Sequence, residues 1–161
     1  MKPARSLLLA AMVATSFLGS TAVIAPAAWS VEERAGDDYP YKGQSGTDKW
    51  GFSKRYCTSF VAHRLSQHGV NFKHAKYKGE KFGNANTWDE AARRAGIKVN
   101  GTPKVGSVAV WNSGGGGAGH VAYVSKVSGN KITVEEYHYR NHLAYGKRTI
   151  DKSVPSTFIH F

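Results

Sequence analysis

The sequence predicts an α+β domain in which helices come first and an antiparallel sheet follows. Three observations lead there. Around the only cysteine of the chain, Cys57, Val61, Arg64, Leu65 and His68 recur at helical spacing, and Gly69 follows as a stop. Thr87, with Glu90 three residues later, reads as the capping box of a second helix that Gly96 closes. From Val105 onward the apolar period falls to two, the signature of strands with a solvated and a buried side. Helices packed on a sheet made from the C-terminal half differ from the alternating strands and helices of a parallel sheet.

The N-terminus reads as a leader. Lys2 and Arg5 precede a short apolar run, Leu7 to Leu18, and small residues lead to Ala25-Pro26-Ala27. This is the pattern of a secretory signal peptide over residues 1–27, with cuts after the Gly19–Ala22 stretch or between Ala27 and Ala28 as alternatives. The run is shorter than the roughly 20 apolar residues that span a bilayer. Residues 28–37 read as a linker and 38–161 as one domain, expected to be a secreted monomer without a membrane anchor once the leader is cut. Four Trp, eight Tyr and seven Phe exclude a disordered chain. The 161 residues carry a formal net charge of +11, of which cleavage removes only Lys2 and Arg5. An exported basic protein seeks an anionic surface, and the cell envelope fits export better than nucleic acid does. No stacking pattern of aromatics among the basic residues suggests a nucleic-acid groove.

Within the domain, Tyr39-Pro40-Tyr41 and Gly43 to Gly46 form a turn-rich entry, and Trp50-Gly51-Phe52 packs near the cysteine helix. Asn71 to Lys81 is polar and lysine-rich, without a clear element. Trp88, Ala91, Ala92 and Ala95 give the second helix its buried stripe. Strands are expected at Val105–Trp111, His120–Val127 and Lys131–Tyr139, with short closing strands at Arg148–Asp151 and Thr157–Phe161. The glycine-rich segment 112–118 reads as a flexible loop, and Ser128-Gly129-Asn130 as a hairpin turn.

A lone cysteine cannot pair within its own chain. It forms an intermolecular disulfide, lies inert in the core, or works as a nucleophile. Cys57 stands at a helix N-terminus, where unpaired N–H groups and the helix dipole favour a thiolate. His120 opens a strand just after the glycine loop, and alternation puts Val134, Glu136 and His138 on one side of the next strand, with Glu135, Tyr137 and Tyr139 on the other. Nucleophile, base and base-orienting carboxylate are the three parts of thiol acyl transfer. Each has a plainer reading: Cys57 as core, His120 as one of seven histidines, Glu136 as a solvated strand residue.

Four blocks in order change that balance. Arg55-Tyr56-Cys57-Thr58-Ser59-Phe60-Val61-Ala62, Phe82-Gly83-Asn84-Ala85 with Trp88, Gly119-His120-Val121-Ala122-Tyr123-Val124 and Ile132-Thr133-Val134-Glu135-Glu136-Tyr137 resemble the successive blocks of a CHAP domain, the cysteine, histidine-dependent amidohydrolases/peptidases of the papain-like group. The resemblance covers about residues 38–161. It implies a papain-like fold, cleavage of amide bonds in peptidoglycan, Cys57 as nucleophile, His120 as general base and then acid, and Glu136 as the group that holds the imidazole. It implies an oxyanion site at the Cys57 N–H, with Tyr56, Tyr39 or Tyr41 as a second donor. The chain departs from the family at His138, where members commonly have Asn; read on the strand face of Glu136, it brings a second titratable ring to the site. Phe82 replaces a usual Trp, and His63 a common aromatic. Some members bind calcium through carboxylates ahead of the cysteine, but that region offers only Asp48 here, so no metal and no cofactor are expected. The alternatives are an NlpC/P60-type endopeptidase, which typically has Asp-Cys-Ser where this chain has Tyr56-Cys57-Thr58, and a non-catalytic cationic binder of wall polymers or DNA.

Overall fold

A computed structural model describes residues 36–161. The predicted leader lies outside the described residues. Of the predicted linker only Gly36 and Asp37 are described, and both are tied to the domain. The Gly36 carbonyl accepts from Arg64 Nη2 at 2.7 Å, and the Asp37 carboxylate accepts from the Tyr137 hydroxyl at 2.8 Å.

The architecture is α+β, as expected. Helix α1 (Cys57–Ser66) is followed by a two-stranded ribbon, β1 (Lys76–Tyr77) and β2 (Glu80–Lys81), and by helix α2 (Trp88–Arg94). Then come β3 (Lys98–Asn100), β4 (Val108–Trp111), β5 (His120–Ser128), β6 (Lys131–Tyr137), β7 (Tyr145–Asp151) and β8 (Thr157–His160). These six strands form one antiparallel sheet in the order β3-β8-β4-β5-β6-β7. The lysine-rich segment without an assignment is thus the ribbon, in which Lys76 faces Lys81.

The two sides of the sheet bury different things. On one, Val61, Ala62 and Leu65 of α1 and Trp88, Ala91 and Ala92 of α2 pack against Val108, Val110, Val121 and Ile159, with Trp50, Phe52, Phe72 and Phe82 filling the space between. The aromatic rings meet edge-on or tilted, Phe82 standing 5.5 Å from Trp88 and 5.2 Å from Phe72, the arrangement ring quadrupoles prefer. On the other side, Ala109, Ala122, Val124, Ile132, Val134 and Phe158 form a second buried cluster, made among the described residues of strand residues alone. Both sides of β6 are buried from Val134 to Tyr137, which is why its apolar alternation is incomplete.

The capping box at Thr87 does not form. A 3-10 turn, Ala85–Thr87, runs into α2, so Thr87 has helical dihedrals and its hydroxyl donates to the Asn84 carbonyl instead. The extra turn moves the helix start one turn upstream, and a threonine inside a helix turns back on the preceding carbonyls. Three strands are also shorter than expected: β4 begins at Val108, because Gly106 makes a turn at φ +88°, β6 ends at Tyr137, and β8 ends at His160.

Two glycines are required by close approach. A Cβ on Gly51, at φ +98°, would lie 2.4 Å from the Ala75 nitrogen, and one on Gly119, at φ +72°, 2.5 Å from the Trp111 carbonyl oxygen. Gly43 shares the left-handed backbone, at φ +70°, but faces open space. Gly43→Ala is therefore expected to cost about 1 kcal/mol, the strain of a left-handed alanine, whereas Gly51→Ala adds a backbone clash and should exceed about 3 kcal/mol. Urea unfolding of the two variants checks this; equal losses would remove the close approach as the reason for Gly51.

Candidate active site

The N-terminus of α1 is set by the segment before it. Asp48 is buried, and its Oδ1 accepts the N–H groups of Trp50, Gly51 and Phe52 at 2.8, 2.8 and 2.9 Å. Its Oδ2 accepts from the Ser59 hydroxyl in the first turn of α1, and that hydroxyl also meets the Tyr39 hydroxyl. The Tyr39 oxygen in turn accepts the Arg55 N–H at 3.0 Å, holding Arg55 at φ +64°. One carboxylate thus ties the approach loop to the helix it delivers. Asp48 is fully engaged with backbone and serine. Tyr39 is 2% exposed, packed against Tyr41, Phe60 and Tyr137, so of the three tyrosines considered as oxyanion donors only Tyr56 lines the cleft. Tyr56 precedes the helix in an extended conformation and provides no side-chain cap, and the first turn has no acid. The positive end of the dipole is left to the Cys57 thiol, which is partly exposed.

Facing it, β5 and β6 bring His120 and Glu136 together. Tyr123 pairs with Glu135 and Val124 with Val134, so even-numbered residues from 120 to 124 share a face with 134 and 136. His120 Nε2 lies 2.9 Å from Glu136 Oε2, both residues buried. This leaves Nδ1 for the thiol. Burial pulls the imidazole pKa down, but its hydrogen bond to Cys57, the one to Glu136 and the charges of both raise it to about 9. Glu136 moves the other way: burial favours its neutral form, yet hydrogen bonds from His120 and Arg148 hold the carboxyl below its usual value.

Sequence reasoning missed Arg148. Its Nε donates to Glu136 Oε1 at 2.7 Å and its Nη2 to Oε2 at 3.2 Å. In the β6–β7 register Arg148 sits opposite Val134 and Gly146 opposite Glu136, so the guanidinium reaches Glu136 diagonally across a position without a side chain. Only the strand pairing reveals this. Trp111 and Tyr139 stand on either side, their rings 5.4 and 4.9 Å from that of His120 and 5.2 and 3.9 Å from the guanidinium.

His138 is placed differently from the expectation. Because β6 ends at Tyr137 and His138 has φ +58°, it does not continue the Glu136 face. Its Nδ1 accepts the Leu143 N–H at 3.0 Å, and its ring packs 4.5 Å from Tyr56 and 4.9 Å from His142. It still lines the same cleft as Cys57 and His120. Burial, with the neighbouring His142 and His120, lowers its pKa. His63 is half-buried and reaches the Asp38 carboxylate at 3.1 Å, away from the cleft.

The cleft encloses about 680 Å³. Beyond Tyr56, Cys57, Trp111, His120, His138 and Tyr139, its walls are small: Gly83, Ala85, Gly114, Gly115 and Gly119. The glycine segment is pinned. Gly115–Gly117 forms a 3-10 turn, Asn86 donates its N–H to the Ala118 carbonyl and its Nδ2 to that of Gly117, both at 2.9 Å. This replaces the expected flexible loop, and it fixes Gly119 directly before His120. Among the described residues no cluster of three or more His, Cys, Asp or Glu is arranged to hold a metal ion.

The probable autolysin LDP of Staphylococcus aureus is 37% identical to this chain over 105 residues, covering 65% of the chain and 35% of the relative. The staphylococcal secretory antigen ssaA2 of the same species is 42% identical over 90 residues, 51% of the chain and 32% of the relative. The match spans about a third of either relative. Among solved structures, an N-acetylmuramoyl-L-alanine amidase from Staphylococcus aureus aligns with TM-score 0.56 and 24% identity over 72% of this chain and 33% of that one, a likeness of fold. The CHAP domain family profile matches residues 47–138. That span is over half of the 161 residues, it contains Cys57, His120, Glu136 and His138, and it places the chain in the CHAP-domain family.

Proposed function

We propose that this chain is a secreted peptidoglycan hydrolase that cleaves an amide bond with Cys57 as nucleophile, His120 as acid and base, and Glu136 as the group that orients the imidazole. The observation that carries this is the row Cys57–His120–Glu136 at the wall of an open cleft, with the imidazole charged to about pH 9. Support for wall and export comes from the names of the relatives, an autolysin and a secretory antigen.

The Cys57 thiolate attacks the amide carbonyl carbon, forming a C–S bond as the carbonyl oxygen takes the negative charge. The Cys57 N–H at the uncapped helix start, with the helix dipole behind it, meets that oxyanion. The tetrahedral centre collapses, the C–N bond breaks, and the imidazolium proton goes to the departing amine. Neutral His120 then takes a proton from water, whose oxygen attacks the thioester; the acid leaves and the thiolate–imidazolium pair is restored. Glu136 keeps the ring oriented through both proton transfers. The small walls of the cleft leave room on either side of the scissile bond.

Charge supplies the approach to the wall. Lys73, Lys76, Lys78 and Lys81 are exposed on or beside the β1–β2 ribbon, and Lys76 directly opposes Lys81, a destabilising pairing when no anion lies over it. The ribbon runs into Gly83–Ala85 of the cleft wall, so an anionic wall polymer bound there lies beside the substrate.

Cys57→Ala, still folded, should lose hydrolysis of purified peptidoglycan; retained lysis would sink the assignment. Mass spectrometry of the fragments made by the unmodified enzyme distinguishes an amidase, which frees the peptide from the lactyl side, from an endopeptidase, which splits the cross-link. The pH–rate profile should fall above about pH 9, where His120 loses the proton it must give to the amine, and in acid, where the Glu136 carboxyl takes up its proton. In His138→Asn the basic limb should stay in place. The acid limb should change, because His138 gains its charge beside His120 only at low pH. Superimposable profiles would remove His138 from the site. Finally, Lys76→Gln with Lys81→Gln should weaken salt-sensitive binding of the Cys57→Ala protein to intact walls, while the same two changes in the active enzyme leave cleavage of soluble wall fragments unaltered. Unchanged binding would move the wall-seeking surface elsewhere.

A further inference from the structure

We infer that Arg148 is a positioning residue of the catalytic site, holding the Glu136 carboxylate in the plane and charge state that His120 requires. The inference rests on the proposed roles of Cys57, His120 and Glu136 and adds a fourth member to them.

The geometry is that of a fork. Arg148 approaches Glu136 with two donors, Nε on Oε1 at 2.7 Å and Nη2 on Oε2 at 3.2 Å, while Oε2 also meets His120 Nε2 at 2.9 Å. Two contacts from a rigid planar group fix both the position and the rotation of the carboxylate, which a lysine at the same place cannot do. With Oε1 held by Arg148, Oε2 is turned to the imidazole. Glu136 is 2% exposed, so without the guanidinium only His120 would answer its charge.

Arg148 is itself held. Its side chain is 14% exposed, and its guanidinium lies 3.9 Å from the Tyr139 ring centre and 5.2 Å from that of Trp111. The same two rings flank His120. Guanidinium and imidazole therefore share the same two aromatic neighbours, with the buried Glu136 carboxylate bonded to both. The positive charge of Arg148 also favours the Glu136 carboxylate. Arg148 touches none of the reacting atoms. Its effect on catalysis passes through Glu136.

The test uses two readouts on the full chain. Cys57 is the only cysteine, so its alkylation by iodoacetamide reports the thiolate without any substrate. Peptidoglycan hydrolysis is followed in parallel, for the unmodified protein, Arg148→Met and Arg148→Lys. In Arg148→Met, which keeps the length of the chain and loses the charge, kcat should fall roughly 10- to 100-fold with little change in KM. Alkylation should slow, and the acid limb of hydrolysis should move up, because without the cation the Glu136 carboxyl is no longer held below its usual value. Arg148→Lys should return the acid limb most of the way but recover only part of kcat, since it restores the charge and not the fork. Circular dichroism and the thermal midpoint establish that the variants are folded; should Arg148→Met unfold, Arg148→Lys still decides, because a merely structural role leaves kcat unchanged in a folded lysine variant, whereas loss of the fork lowers it. A folded Arg148→Met alkylated as fast as the unmodified protein, or a folded Arg148→Lys with unchanged kcat, would overturn the inference. If instead alkylation slows as described while the unmodified protein cleaves no wall material, Arg148 keeps its role and the hydrolase reading fails.

Discussion

Two consecutive glutamates, both buried, hold this molecule together from opposite sides of one strand. Glu135 is 1% exposed and faces α1, where its Oε2 accepts from Arg64 Nη2 at 2.7 Å. Glu136 is 2% exposed and faces His120 and Arg148. The alternation of a strand makes this division unavoidable: neighbours in sequence must point apart. One carboxylate therefore clamps the helix that carries the cysteine, and the other clamps the imidazole hydrogen-bonded to that cysteine. Distances across the site are set by β6, from which both clamps are measured. A one-residue slip of β6 would exchange the two and take the Glu136 carboxylate away from His120.

Such an arrangement is costly, and the surroundings offset the cost. Desolvating a carboxylate is tolerable only where strong partners replace the water. Arg64 answers Glu135 and, through Nη1, also Asp38 at 3.0 Å, which carries the tie on to the chain entering the domain. At the cysteine end Asp48 accepts three backbone N–H groups and a serine hydroxyl, exhausting its capacity. Glu135, Asp38 and Asp48 do not line the cleft. They replace the caps and covalent staples that a chain with a single cysteine lacks, and they make the approach to Cys57 rigid without placing an acid beside the thiol.

Much of this was legible in the sequence, and the failures share a cause. Helix α1, the β5–β6 hairpin and the opposite directions of Glu135 and Glu136 follow from period and turn residues, all of them local signals. The capping box at Thr87 failed because a 3-10 turn upstream moved the helix start, and that turn is held by the Ala118 carbonyl across the fold. The glycine run promised mobility, but Asn86 pins it. His138 left the Glu136 face because the strand stops one residue earlier, at a backbone conformation no pattern announces. Arg148 was invisible because its partner is 12 residues away on a neighbouring strand, and only the register puts them diagonal. Period reads which way a residue points along its own strand. It does not read what stands opposite.

The order of charges through the site has a consequence for how its members are weighed. Arg148, Glu136, His120 and Cys57 alternate in sign when the thiol is ionised: cation, anion, cation, anion. Each inner member has an opposite charge on both sides, and the row is neutral as a whole. Deleting Glu136 would leave two cations facing one another; deleting His120 would leave two anions. Either loss therefore exceeds the value of the bonds it breaks, because like charges are left adjacent. Deleting an end member, Arg148 or Cys57, removes one attraction and creates no repulsion. Effects of single substitutions along such a row cannot be added, and the inner and outer positions belong to different classes of variant. The proposed three-residue site thus extends by charge to Arg148 on a third strand, β7, with Trp111 and Tyr139 packed against its imidazole and guanidinium.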